Sequence, residues 1–328
     1  MTKYILRRIG MMIPVILGVL LIAFVINRMS GDPVAAILGG DATPEQYEME
    51  RERLGLNRPL FVQFGDYVLG IITRFDLGNS YASKRPVSEE ILTRFPITLT
   101  LALISLAISS VLGIIFGVVC AINQNRNIDY IITLLALIVA SLPGFWFALM
   151  LILLFAVNLG LLPATGLDTW RHWILPSVVL GLAPISNLCR TTRSSMLEVI
   201  RQDYIRTAKS KGVSDNKVIF KHALKNALFP VITVFGFMAS LSIGGQVVVE
   251  TVFTIPGIGS YMMIAITNKD FPVIQGTVVV LSLMVCIINL IVDIAYGFAD
   301  PRIRASYTQR KGGKKLRAPA EIQEGVAS

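Results

Sequence analysis

Apolar residues collect in six runs along this chain, separated by polar segments that differ sharply in length and charge. The first run, residues 9–26, follows Lys3, Arg7 and Arg8 and ends in Asn27-Arg-Met-Ser-Gly-Asp-Pro33. No small-residue cleavage site follows it, so it reads as an uncleaved span rather than a removable leader. Residues 97–122 form a second run. Residues 130–158 are long enough to cross with tilt, and the internal Pro143-Gly144 predicts a kink or break. Residues 173–188 are interrupted by Pro176, Gly181 and Pro184, and residues 228–249 and 273–298 complete the set. Between the last two, residues 250–272 hold Ile255-Pro-Gly-Ile-Gly-Ser260 and read as a short outer segment.

Two polar segments stand out. Residues 30–96 carry seven Lys/Arg and ten Asp/Glu, which suits an exterior location. Within them Thr43-Pro44-Glu45-Gln46 predicts a capped helix start, and Gly55 stands where that helix should stop. After Pro59, the residues Phe61, Phe64, Val68, Ile71, Ile72 and Phe75 share one helical face, predicting an amphipathic helix too short to span. It should lie on the outer surface or against the bundle. The second segment is basic, with nine Lys/Arg between Arg190 and Lys225 against three acids. It predicts two short helices. The first carries Leu197, Ile200, Tyr204 and Ala208 as a narrow apolar stripe that could dock on a partner, Gly212 ends it, and Ser214 is placed to cap the next.

Composition sharpens the class. The chain of 328 residues is 54% hydrophobic and 16% charged, with a mean hydropathy of +0.66. That excess excludes an ordinary soluble domain. The net charge of +9 does not indicate nucleic acid, because the basic residues flank apolar runs, as the positive-inside rule requires. With the N-terminus, the short loop at Arg126, the 190–225 segment and the C-terminal cluster all inside, the basic residues share one side. A seventh span over 250–272 would break this. The expected fold is therefore an all-α integral membrane protein with six transmembrane helices, both termini cytoplasmic and one large external loop with short helices. Residues 308–328 are expected to form a disordered basic tail.

Catalytic chemistry is not apparent. The sequence has no Gly-x4-Gly-Lys-Ser/Thr, no Gly-x-Gly-x-x-Gly, no Gly-x-Ser-x-Gly and no His-Glu-x-x-His. Cys120, Cys189 and Cys286 show no CxxC spacing, and His172 and His222 lack acidic partners at ligand spacing, so neither a metal nor another cofactor is expected. Polar residues at membrane depth carry the remaining signal, because they are costly there. Asn187, Ser242, Gln246 and Glu250 are candidates for a translocation path, with Gln246 and Glu250 at its outer mouth. Asn289 and Asp293 read instead as helix–helix bonding groups near the inner end, Asp293 beside a basic partner.

The basic loop also carries a resemblance. Arg206-Thr-Ala, Gly212 and His222-Ala-Leu resemble the EAA loop of binding-protein-dependent ABC importer permeases, although Arg206, His222 and Lys225 stand where the general pattern has Glu, Ile and Pro. The wording Asp203-Tyr-Ile-Arg-Thr-Ala-Lys-x-Lys-Gly212 is similar to the peptide/nickel branch. So are Tyr4-Ile-x-Arg-Arg8, Gly31-Asp-Pro33, Leu54-Gly-Leu-x-Arg-Pro-Leu60, Asp76-Leu-Gly-x-Ser80, Arg193-x-Ser-Met-Leu-Glu-Val199 and Asp300-Pro-Arg-Ile-Arg304. The resemblance to the B-type subunit implies a permease domain over residues 1–307, with residues 30–96 as an external insertion and 197–226 as a cytoplasmic coupling loop. It implies ATPase contact through Tyr204, Ile205, Arg206, Thr207, Ala208, Lys211 and Gly212. The implied assembly contains a second homologous permease, two ATP-binding cassette ATPases and an external substrate-binding protein in a prokaryotic inner or plasma membrane, among membrane lipid and without nucleic acid. ATP hydrolysis is then expected in the separate ATPase subunits, not in this chain. Peptides are the expected substrates, with nickel chelates or glutathione as alternatives. A secondary transporter or channel would instead need paired repeats around ion sites, which are not seen.

Overall fold

Backbone N–H and C=O groups find no water in a bilayer, so an apolar run must satisfy them internally, and helices do this. The computed structural model describes residues 2–29, 33–38 and 42–299, and within them it is helical, with no strand beyond an isolated bridge between Asn79 and Pro86. The helices are α1 (Thr2–Met29), α2 (Pro33–Leu38), α3 (Pro44–Arg53), α4 (Leu60–Arg74), α5 (Val87–Ile122), α6 (Asn127–Ser141) and α7 (Gly144–Leu151). They are followed by α8 (Ile174–Ile200), α9 (Asp203–Ser210), α10 (Asp215–Lys217), α11 (Leu224–Val252), α12 (Ile258–Thr267) and α13 (Phe271–Ala299). Among the described residues five helices are long and apolar enough to cross a membrane. A sixth span arises if α6 and α7, with its π-helical continuation Ile152–Asn158, count as one. The Pro143-Gly144 kink is a break of 106°, because Pro143 cannot donate to the helix ladder and the preceding Leu142 is extended. Residues 300–328, including the basic tail, lie outside the described residues.

The polar segment between α1 and α5 follows its local signals closely. Thr43 and Gln46 form a reciprocal capping box on α3, and Gly55, at φ +66°, closes it with Gly55 N–H donating to Glu52 O and Leu56 N–H to Arg51 O. The amphipathic helix is α4, packed against the bundle through Phe64, Tyr67, Val68, Ile71 and Phe75. Phe61 and Ile72, expected on that face, point outward instead, because the buried stripe is centred on Ile71. Asp270 fastens the next stretch to the bundle. It is buried and accepts from Ser80 Oγ at 2.5 Å, Tyr81 N at 3.0 Å and Ala82 N at 3.2 Å.

Within the membrane, close approach depends on small residues. A methyl group added at Gly113 or Gly117 of α5 would overlap Leu188 or Thr192 of α8, and one at Gly181 would meet Ser109. α5 and α8 therefore pack backbone to backbone. The interrupted run 173–188 proves to be the N-terminal half of α8, which continues through Pro184 to Ile200. Polar pairs also join the helices. Arg8 pairs with Asp293 at 2.9 Å, Ser240 Oγ donates to Asn289 at 2.9 Å, and Arg193 grips Asp129 with two bonds of 2.7 Å.

Candidate functional site: a short polar helix and a buried polar node

The helix α9 follows α8 after only Arg201 and Gln202, and Asp203 in its first turn suits the positive end of the helix dipole. Gly212, at φ +77°, terminates it. Gly212 N–H donates to Lys209 O and Val213 N–H to Ala208 O, respectively the five-to-two and six-to-one bonds of a Schellman ending. The expected apolar stripe is divided. Leu197 and Ile200 belong to the end of α8, and on α9 the fully buried residue is Ile205, packed with Met196, Val218, Ala223 and Ala227. Ala208 turns inward beside it and packs on the same cluster with Val213, so it does not form the outer face. Tyr204 is 44% exposed, and its hydroxyl accepts from Asn226 Nδ2 at 2.9 Å. Arg206, Thr207, Lys211 and Gly212 are exposed, and Thr207 Oγ1 donates to Asp203 O. Ser214 occupies the cap position of α10 without a side-chain capping bond, while Asp215 pairs with Lys209 at 3.1 Å. The result is a polar helix fixed on one side by Ile205 and open on the other.

At the opposite end, α11 brings Gln246 and Glu250 to one face, four residues apart. Both are fully buried. Glu250 accepts from Thr98 Oγ1 of α5 at 2.7 Å and from Ser260 N at 3.0 Å, so its carboxylate caps α12 from another helix. Thr98 Oγ1 in turn accepts from Ile258 N at 2.9 Å, and its carbonyl accepts from Gln246 Nε2 at 2.7 Å. The glycines of Ile255-Pro-Gly-Ile-Gly-Ser260 make room for this arrangement: a methyl group at Gly257 would overlap the Glu250 carboxyl group, and one at Gly259 the backbone of Val247. Gln246 and Glu250, expected at the outer mouth of a path, turn their polar atoms toward α5 and α12.

Ser242 and Asn187 sit elsewhere. Ser242 lines a cavity of about 310 Å³ among α7, α8 and α11, with Ala183, Pro184 and Gly245, and its hydroxyl donates to Met238 O. Asn187, half-buried one turn from Ala183, donates to that residue's carbonyl and accepts from Arg190. Of the four path candidates, Ser242 faces this cavity, Asn187 lies one turn beyond its Ala183 edge, and Gln246 and Glu250 are buried between α11, α5 and α12. Sequence reading missed Thr98 and the Gly113-x-x-x-Gly117 pair. The glycine spacing was a readable signal for close helix packing. Thr98 had none, since its partners lie about 150 residues away.

Comparison with known proteins agrees with this architecture. Residues 113–305 match the family model described as binding-protein-dependent transport system inner membrane component, and residues 1–102 match the model of the corresponding N-terminal region. The di/tripeptide transport system permease protein of Pseudomonas aeruginosa is 40% identical over 334 residues, covering 93% of this chain and 99% of the relative. The oligopeptide transport system permease protein of Bacillus subtilis is 43% identical, covering 92% and 99%. The glutathione transport system permease protein of Salmonella choleraesuis is 41% identical, covering 93% and 99%. Among solved structures, the inward-facing MetNI methionine ABC transporter superposes with a TM-score of 0.55 at 18% identity, over 64% of this chain and 96% of that one. At that identity the likeness speaks for the fold alone.

Proposed function

Because this chain belongs to the family of binding-protein-dependent transport system inner membrane components, we propose that it forms half of the translocation path of an ATP-driven peptide importer. In this reading α9 is the contact for a cytoplasmic ATPase. The observation that carries it is the form of α9: a short polar helix, fixed by Ile205 and the Gly212 ending, whose free face presents Tyr204, Arg206, Thr207 and Lys211 beyond the apolar bundle. Ala208 supports that helix from behind. A second homologous permease completes the path, two ATPases close beneath the pair, and an external binding protein delivers substrate. The relatives named for peptides and for glutathione support a peptide-like cargo. The cavity lined by Ser242, with Asn187 one turn beyond its Ala183 edge, is the candidate segment of the path, with Gln246 and Glu250 fixing the helices behind it. Alternating access follows if ATP-driven movement of α9 shifts α8 and the helices packed on it.

Copurification of a tagged chain tests the assembly, with ATPase subunits and a second permease expected in the complex. Uptake of a labelled dipeptide, with and without competing glutathione, tests the cargo. Recovery of the chain alone, still competent for uptake, would overturn the reading.

The segregation of basic residues supports a topology with both termini and α9 in the cytoplasm. A cysteine replacing Glu48 is expected to react with a membrane-impermeant thiol reagent in intact cells, whereas Lys211→Cys and Lys315→Cys should react only after lysis. Labelling of Lys315→Cys from outside would reverse the topology.

A further inference from the structure

Of the fifteen residues of α6 only Asp129 is buried, and it is the charged one. A carboxylate set at the head of an apolar run is costly unless its oxygens are taken up. Arg193 of α8 grips both of them, Nε on Oδ1 and Nη2 on Oδ2 at 2.7 Å each, a two-pronged pair with a fixed direction. Asn125 N–H, in the turn before α6, donates to Oδ2 at 3.1 Å, and Thr133 Oγ1 stands one turn on at 3.4 Å from Oδ1. The Cys120 thiol of α5 lies beside the same carboxylate. Holding the start of α6 would need only the Asn125 bond. The guanidinium fork ties it to a different helix.

That helix leads to α9. Met196, one turn beyond Arg193, packs in the cluster that buries Ile205 of α9. α8 therefore carries the seat of α9 and the grip on α6 on adjacent turns. From Asp129, α6 runs roughly 20 Å to the break at Pro143-Gly144, where the chain turns by 106°. Beyond the break, Gly144 and Phe145 of α7 form one wall of the cavity of about 310 Å³, which α11 completes with Met238, Leu241 and Ser242. A rod pinned at one end and jointed at the other thus lies between the seat of α9 and the cavity wall.

We propose that Asp129 is a positioning residue for transport: its pair with Arg193 makes α6 follow α8, so that displacement of α9 resets the Gly144–Phe145 wall of the cavity. It rests on the importer reading above and adds the connection between the ATPase contact and the path. A bidentate pair holds distance and angle together, whereas an apolar contact at the same place would let the two helices slide past each other. The break at Pro143-Gly144 lets α7 change its angle to α6 without straining a hydrogen-bond ladder, because Pro143 donates none.

The test uses the purified assembly in liposomes, with its binding protein and a labelled dipeptide, and reads the ATP hydrolysed per dipeptide imported. Asp129→Asn combined with Arg193→Met removes both charges together, so no ion is left buried alone, and it keeps an acceptor for Asn125. This variant is expected to retain its ATPases and its melting temperature and to hydrolyse ATP at the wild-type rate, yet to spend at least about tenfold more ATP per dipeptide. Arg193→Lys, which keeps both charges but not the fork, should fall between. A second readout is independent of cargo. Phe145→Cys should change its rate of labelling by a thiol reagent when a non-hydrolysable ATP analogue is added, and should lose that response when combined with the double variant. Cys120, Cys189 and Cys286 are buried and leave a low background. An unchanged ratio in both pair variants, or a Phe145→Cys response that survives the double variant, overturns the positioning role and leaves the pair purely structural. Loss of the ATPases from the double variant also overturns it, because the pair would then support the seat of α9 alone. If the double variant melts early, Arg193→Lys decides through the same ratio. Wild type that imports without hydrolysing ATP would overturn the importer reading itself, and the role of Asp129 with it.

Discussion

Glu250→Leu is expected to abolish uptake and to lower the thermal stability of the purified protein sharply. The substitution removes a fully buried carboxylate that accepts from Thr98 and from the first turn of α12. The Ser260 N–H and the Thr98 hydroxyl then lack acceptors, at about 1–3 kcal/mol for each buried group left unpaired. Two such losses reach the scale of the few kcal/mol by which whole domains are stable. Glu250→Gln should be intermediate, because it keeps one acceptor oxygen and introduces an amide that faces donors. Gln246→Leu should do less still, since it removes one bond to the Thr98 carbonyl and also the buried Gln246 Oε1, which has no partner among the described residues. Size-exclusion thermostability in detergent, measured beside dipeptide uptake, ranks the three. If Glu250→Leu melts like wild type and only uptake falls, the carboxylate serves the path rather than the wall.

The double variant Ala208→Glu with Gly212→Val should insert normally yet lose its ATPases and with them at least about 90% of uptake, a tenfold change that corresponds to ~1.4 kcal/mol of lost docking. Each substitution acts on the seating of α9. Valine at φ +77° is strained by on the order of 1–3 kcal/mol, and a glutamate at Ala208 would push its charge into the cluster held by Ile205 and Val213. Neither residue lies in a span, so membrane insertion should not change. Copurified ATPase and uptake are the measurements. Normal import by the double variant, with its ATPases bound, would reduce the basic loop to a connector.

Local chemistry made much of this fold legible. The Thr43 capping box, the Gly55 and Gly212 endings and the break at Pro143-Gly144 are decisions taken within a few residues, and each appears where its signal stands. Asp293 was marked by its cost at membrane depth, and it meets Arg8. Facing was harder. Tyr204 and Ala208 shared a stripe on paper because the break at Arg201–Gln202 was not visible, and that break rotates α9 so that Ile205 becomes the anchor. Gln246 and Glu250 were visible as polar residues in an apolar run, but their partners on α5 and α12 depend on tertiary packing. A carboxylate that caps a helix ten residues further on leaves no periodic trace.

The glycine-lined contact of α5 with α8 has a mechanical consequence. α5 extends over 36 residues, roughly 54 Å, with Thr98 toward one end and Gly113 and Gly117 toward the other. Where backbones touch, no layer of flexible side chains remains to absorb a displacement. A push received at α9 would pass through two linking residues into α8, across a joint without backlash into α5, and out to the Thr98–Glu250 knot that holds α12. Such a strut would transmit stroke rather than dissipate it, and α12 at its far end would be the part that moves.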